Sequence, residues 1–237
     1  MIHKTWTQQR LFRLLGVVSI VVALFAVAGD EILQYSPQGY ASLTLFYDLP
    51  LWRMLIGHVL GVLFIPLCLS GYWCVCQALR LNGVKGARAM FWFIAYGLMM
   101  GAISHDSVSA VIELKREGSG PGLTPIMNYL QNYVNIPGGI FLLCYLAISI
   151  WYFAAVISGR TLYPRWMAFV NPFLLSLLIA LLHLGNVLPA AVNVLWPAWL
   201  SIAHVVFFAL STWTLWNFTE EHATNKEQVA PSPSRTG

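Results

Sequence analysis

Charge is what this sequence has least of. Lysine, arginine, aspartate and glutamate make up 9% of its 237 residues, while 58% are hydrophobic. Soluble domains carry roughly a quarter charged residues. So sparse a cover cannot coat a soluble surface of this size, and lipid must replace water over much of it. The sequence also lacks an internal repeat, a glycine-rich phosphate loop, a serine elbow and an HExxH pair. The net charge of +4 is carried at helix ends and forms no basic patch, so nothing points to nucleic acid, nucleotide or flavin. Cysteine is scarce too. Cys68, Cys74, Cys76 and Cys144 all fall within apolar runs. Cys74 and Cys76 are two apart and point in different directions on a helix, a poor metal or redox pair. They read as small packing residues.

What is present is a series of long apolar runs. A helix rises about 1.5 Å per residue and the hydrocarbon core is about 30 Å thick, so roughly 20 apolar residues make a span. The runs predict an all-α polytopic membrane protein of about six transmembrane helices, at 11–29, 51–79, 87–113, 138–158, 165–185 and 197–217. Barrel strands would alternate polar and apolar residues over about ten positions, which these runs do not. Pro66 and Pro172 should kink their spans by removing a backbone donor. Residues 1–218 form one transmembrane domain, and 219–237 a polar, disordered tail. Ala26-Val27-Ala28 after basic residues and an apolar run resembles a signal-peptide cleavage site, but a polytopic protein needs a first span here, and 1–28 are read as retained.

Loop lysines and arginines set orientation. Lys4, Arg10 and Arg13 precede helix 1; Arg80, Lys85 and Arg88 lie between helices 2 and 3; Arg160 and Arg165 lie between 4 and 5. The 1–2 loop carries Asp30, Glu31 and Asp48, and the 5–6 connection carries no charge. Lys115 and Arg116 alone run against the pattern. Both termini are therefore placed in the cytoplasm, in a cell (inner) membrane.

Ionisable residues inside a membrane are expensive and point to function. Counting from the helix ends puts His58 and His204 about 10 Å below the outer surface, and His105, Asp106 and His183 about 27 Å above the inner one. Four histidines from four helices thus share the outer half of the bilayer, with Asp30 and Glu31 closing helix 1 on the same side. Asp106, Ser109 and Glu113 share a face of helix 3, and Ser201, His204 and Ser211 form a stripe on helix 6. His183 and Asn186 are three apart. Such stripes should face the interior, because lipid cannot satisfy them. Gly57 and Gly61 beside His58 would admit a neighbouring helix or ligand.

Three chemistries could use this layer. Zinc or iron could be held by His58, His105, His183 and His204. Two histidines on facing helices could bind haem. A carboxylate–histidine pair could act as general acid and base on a lipid-like substrate. The plain alternative is a set of helix–helix hydrogen bonds. Residues 32–50 and 124–137, rich in aromatic and amide side chains, are expected to lie over the site as outer loops, and Tyr163-Pro164-Arg165-Trp166 to anchor the opposite interface.

Gly29-Asp30, the Leu162–Trp166 turn, and His204 followed by Phe207-Phe208 resemble a group of uncharacterised bacterial six-helix membrane proteins, a resemblance that implies the architecture and no function. By size and site the chain also invites comparison with alkaline-ceramidase-like zinc hydrolases, whose paired histidines in one late helix are absent, and with emopamil-binding-type sterol isomerases, of which no extended motif is found. The leading expectation is an intramembrane enzyme acting on a lipidic or isoprenoid-like substrate through His58, His105, Asp106, His183 and His204, with Asp30 as a sixth member. The alternatives are a small transporter or ligand-binding membrane protein, and a haem protein.

Overall fold

The computed structural model describes residues 2–35, 49–116, 123–185 and 195–216. Its helices are α1 (Ile2–Gln34), α2 (Leu51–Leu67), α3 (Leu69–Leu81), α4 (Ala87–Arg116), α5 (Leu123–Ile157), α6 (Pro172–Leu184) and α7 (Trp199–Leu215), with short 3-10 turns at Arg165–Val170 and Trp196–Ala198. No strand occurs among the described residues. Five stretches are long and apolar enough to cross a membrane: Gln8–Gln34, Leu51–Leu81, Ala87–Glu113, Asn132–Ile157 and Trp196–Leu215. The chain therefore has the build of a multi-pass membrane protein.

Three expectations are corrected. The span expected at 165–185 is a 3-10 turn followed by the 13 residues of α6. That helix rises about 20 Å, short of the roughly 30 Å hydrocarbon core. Pro172 kinks nothing; it starts α6, where its missing N–H would have had no partner anyway. Asn171 caps the same helix, its side chain accepting from the Leu174 N–H at 3.0 Å. Segment 124–137 is not a loop but the first part of α5. Pro137 is carried inside that helix, and Ser104 of α4 donates to the nearby Val134 carbonyl at 2.9 Å.

Pro66 does interrupt its helix. α2 ends at Leu67, and the Cys68 N–H turns to the Phe64 and Ile65 carbonyls at 3.3 and 3.2 Å before α3 begins. Glycines bring α1 and α2 together. A Cβ on Gly57 would stand 2.7 Å from Leu33 Cβ and 3.0 Å from the Gly29 carbonyl, so the backbones touch. Arginines close two helix ends. Arg53 donates to the Ile32 and Tyr35 carbonyls at 2.9 and 2.7 Å, and Arg13 donates to the Trp216 carbonyl at 2.8 Å. Both neutralise carbonyls that a helix terminus leaves unpaired.

Toward the end bearing the α3–α4 turn, the centre of the bundle is closely packed. Val75, Leu79, Tyr152, Val156, Tyr163 and Met167 are essentially without exposure. Tyr163 is thus no interfacial anchor: its hydroxyl bonds Ser211 at 2.8 Å inside the core, and Trp166 alone of that pair reaches the surface. All four cysteines are buried and unpaired. Residues 36–48, Asn186 and the tail 219–237 lie outside the described residues, so the lid expected over 32–50 is described only at its ends.

Candidate functional site

The opposite half of the bundle is not filled. A cavity of about 270 Å³ lies among α1, α2, α4, α5 and the start of α7. Its polar wall is made by Asp30, Gln34, Ser104, His105, Ser201 and His204. Each reaches it for a local reason. Asp30 sits one turn before the end of α1, where α1 packs against the Trp196–Ala198 turn. Ser201 stands in the first turn of α7, where the helix dipole favours a carboxylate. His105 crosses from α4 into a space that two glycines of α2 leave open. A Cβ on Gly61 would overlap its imidazole, and the Gly57 carbonyl takes its Nε2 at 3.3 Å.

Hydrogen-bond logic fixes much of the protonation. His105 Nε2 faces a carbonyl, so it carries a proton and donates. Its Nδ1 faces Asp30 Oδ1 at 3.6 Å, with both side chains buried. The other Asp30 oxygen accepts from the Ser201 hydroxyl at 2.6 Å. The 3.6 Å gap exceeds a hydrogen bond; a single proton on either atom would make the two attract, as imidazolium and carboxylate or as imidazole and carboxylic acid.

His204 is neutral and differently held. Nδ1 faces the Leu200 carbonyl at 2.8 Å and must donate, which leaves Nε2 to accept from the Tyr72 hydroxyl at 2.9 Å. Tyr145 stacks on the imidazole at 5.3 Å between ring centres, and itself bonds Ser176 at 3.3 Å. With both nitrogens occupied, His204 shapes the cavity wall and has no lone pair to offer.

The remaining expected residues lie elsewhere. His58 and Asp106 do not line the cavity. Asp106 Oδ1 meets His58 Nε2 at 3.3 Å, and His58 Nδ1 meets Ser109 Oγ at 3.2 Å. Asp106 thus pairs with the histidine of a different helix from its own neighbour His105, and its side chain is 61% exposed. His183 stacks flat on Trp196, ring centres 4.0 Å apart, and neither residue is among those lining the cavity. The four histidines do not gather into a ligand set. Among the described residues no three histidine, cysteine, aspartate or glutamate side chains converge to hold a metal. Asp30 and His105 by themselves would supply two ligands, one fewer than a catalytic zinc site uses.

Tyr72 was invisible as a site residue, being one aromatic in an apolar run. Ser201 was visible in the His204 stripe, but its role toward Asp30 was not, because that contact joins residues at opposite ends of the chain. In the other half of the bundle, the polar side chains of Asn171 and Ser70 are spent on local backbone bonds to Ala168, Leu174 and Leu67.

Residues 6–217 match a family described as a family of unknown function (DUF6796). No curated protein and no solved structure matches the chain.

Proposed function

The chain belongs to the DUF6796 family, whose function is unknown, and from that premise we propose that it is an intramembrane acid–base enzyme acting on a lipidic or isoprenoid-like substrate. The observation that carries this reading is the buried juxtaposition of Asp30 and His105, 3.6 Å apart in the wall of the 270 Å³ cavity. Isomerisation of a carbon–carbon double bond needs one proton delivered to one carbon and one removed from a neighbour. With a single proton on the pair, one basic site stays vacant, so it can give and take in the same cycle with no net change in protonation. Ser201 is a positioning residue that fixes the carboxylate, and the Gly57 carbonyl fixes the imidazole. The mostly apolar wall suits a hydrocarbon chain. The loop lysines and arginines support a reading with both termini in the cytoplasm, the chain in the cell (inner) membrane and the cavity in the outer half of the bilayer.

The polar side chains Asn171 and Ser70 of the other half are bonded to local backbone, and that asymmetry supports an enzyme over a transporter. The full occupation of the His204 ring nitrogens, and of His105 Nε2 by a carbonyl, gives a haem or a zinc or iron ion little to bind.

Solvent-deuterium labelling tests the proposal. Membranes containing the chain, incubated in heavy water, should incorporate non-exchangeable deuterium into one lipid or isoprenoid species. Asp30→Asn should abolish the label, and His105→Gln should do the same. Labelling that is identical in membranes with and without the chain would overturn the reading.

A further inference from the structure

A second cavity, of about 320 Å³, opens at the other end of the bundle, between α3 and α4. Its rim carries Arg80, in the last turn of α3, and Arg88, the second residue of α4. Gln77 lies one turn below Arg80 and Trp73 two, with Phe91 about a turn below Arg88 and Trp92 on the exposed side. Both arginines are exposed. Among the described residues neither guanidinium has a carboxylate or hydrogen-bond partner. That sets them apart from Arg13 and Arg53, which are consumed in closing helix ends. The turn between them is held rigidly. Gly83 and Gly86 take φ of 72° and 82°, which other residues rarely adopt, and Asn82 ties back to the Ala78 carbonyl at 2.9 Å. A Cβ on Gly86 would overlap Trp151 of α5, so the turn is also seated against a neighbouring helix.

We infer that this cavity binds the phosphate-bearing headgroup of an anionic membrane lipid. Two forked guanidinium groups with no internal partner match phosphate oxygens. From Arg80 down to Trp73 is about 10 Å along the helix, the depth over which a phospholipid passes from phosphate through glycerol to acyl chain. Gln77 stands at the polar middle of that path, and Trp92, 71% exposed, flanks its side. Tryptophan at that level is suited to the headgroup boundary, and arginines just past a span end are the usual means of holding anionic lipid. The site is independent of the Asp30–His105 reading, since it lies at the opposite end of the bundle and shares no residue with it.

Native mass spectrometry of the full chain in detergent, supplied with phosphatidylglycerol or phosphatidylcholine, tests this. The chain should keep one phosphatidylglycerol at concentrations where phosphatidylcholine is lost. Arg80→Gln with Arg88→Gln should weaken that binding about 30-fold, from roughly 1 kcal/mol per basic residue. Arg160→Gln, which removes one charge from the same end outside the cavity, should leave it unchanged. Equal retention of the two lipids by the unaltered chain would overturn the assignment, whatever the variants do. Displacement of phosphatidylglycerol by millimolar inorganic phosphate would assign the arginines to a soluble phosphate and overturn the lipid source.

Discussion

Gly57 and Gly61 are one helical turn apart, yet adding the same methyl group to each should have opposite consequences. A Cβ on Gly57 meets Leu33 Cβ at 2.7 Å, Leu33 N at 2.9 Å and Gly29 O at 3.0 Å. Two of these are backbone atoms, so α1 and α2 must move apart. Overpacking of this kind costs about 3 kcal/mol at its upper range, and the better helix propensity of alanine returns about 1. A net loss of about 2 kcal/mol should lower Tm by about 4–8 °C in a chain of this size. The three nearest atoms to a Cβ on Gly61 all belong to the ring of His105, the far end of a side chain that borders a 270 Å³ cavity. The bond to the Gly57 carbonyl is lost, about 1 kcal/mol, against about the same gain in helix propensity. Gly61→Ala should therefore melt nearer the parent than Gly57→Ala, losing the His105–Asp30 contact while Asp30 keeps its bond from Ser201. The four buried cysteines supply the assay: thermal exposure to a thiol-reactive dye reports unfolding. Histidine ¹⁵N spectra report whether the Nε2–H hydrogen bond survives. If Gly61→Ala melts as early as Gly57→Ala, with its histidine spectrum unmoved, the argument that His105 occupies the space left by Gly61 is refuted.

Two further outcomes follow from the same structure. Tyr72→Phe removes the donor to His204 Nε2 and leaves a buried acceptor unpaired, a loss of about 1–3 kcal/mol; the dye assay should show a lower Tm, with solvent-deuterium labelling reduced but not abolished. Asn171→Ala removes the cap of α6 and should cost about 0.5–2 kcal/mol, while leaving labelling intact because Asn171 is remote from the cavity.

Long apolar runs declared themselves in the sequence, because lipid tolerates nothing else over that length. Helices α1, α4 and α7 stand close to where the hydropathy places them. Two misplacements have a common cause. Residues 124–137 carry asparagines, tyrosines and a proline that look like a loop, but α5 runs through them with Pro137 inside it. At 165–185 the apolar run is continuous, but Asn171 and Pro172 together start a new helix, and composition cannot show that. At the candidate site, depth along the helices brought Asp30, His105 and His204 to one cavity. Rotation about them did not follow from spacing alone. It separated His58 and Asp106 into a pair of their own, and it gave Asp30 to His105 through glycine-lined contacts among α1, α2 and α4. Tyr72 needed the tertiary fold, since only the crossing of α3 and α7 makes it a partner of His204.

The short α6 has a bearing on the cavity wall. Its 13 residues close with the turn that carries His183, and the His183 ring lies flat against Trp196, ring centres 4.0 Å apart. Trp196 is followed in the chain by Pro197, Trp199, Leu200 and Ser201, all in the wall of the 270 Å³ cavity. A shift of α6 would therefore be felt at that wall through one stacked pair of rings.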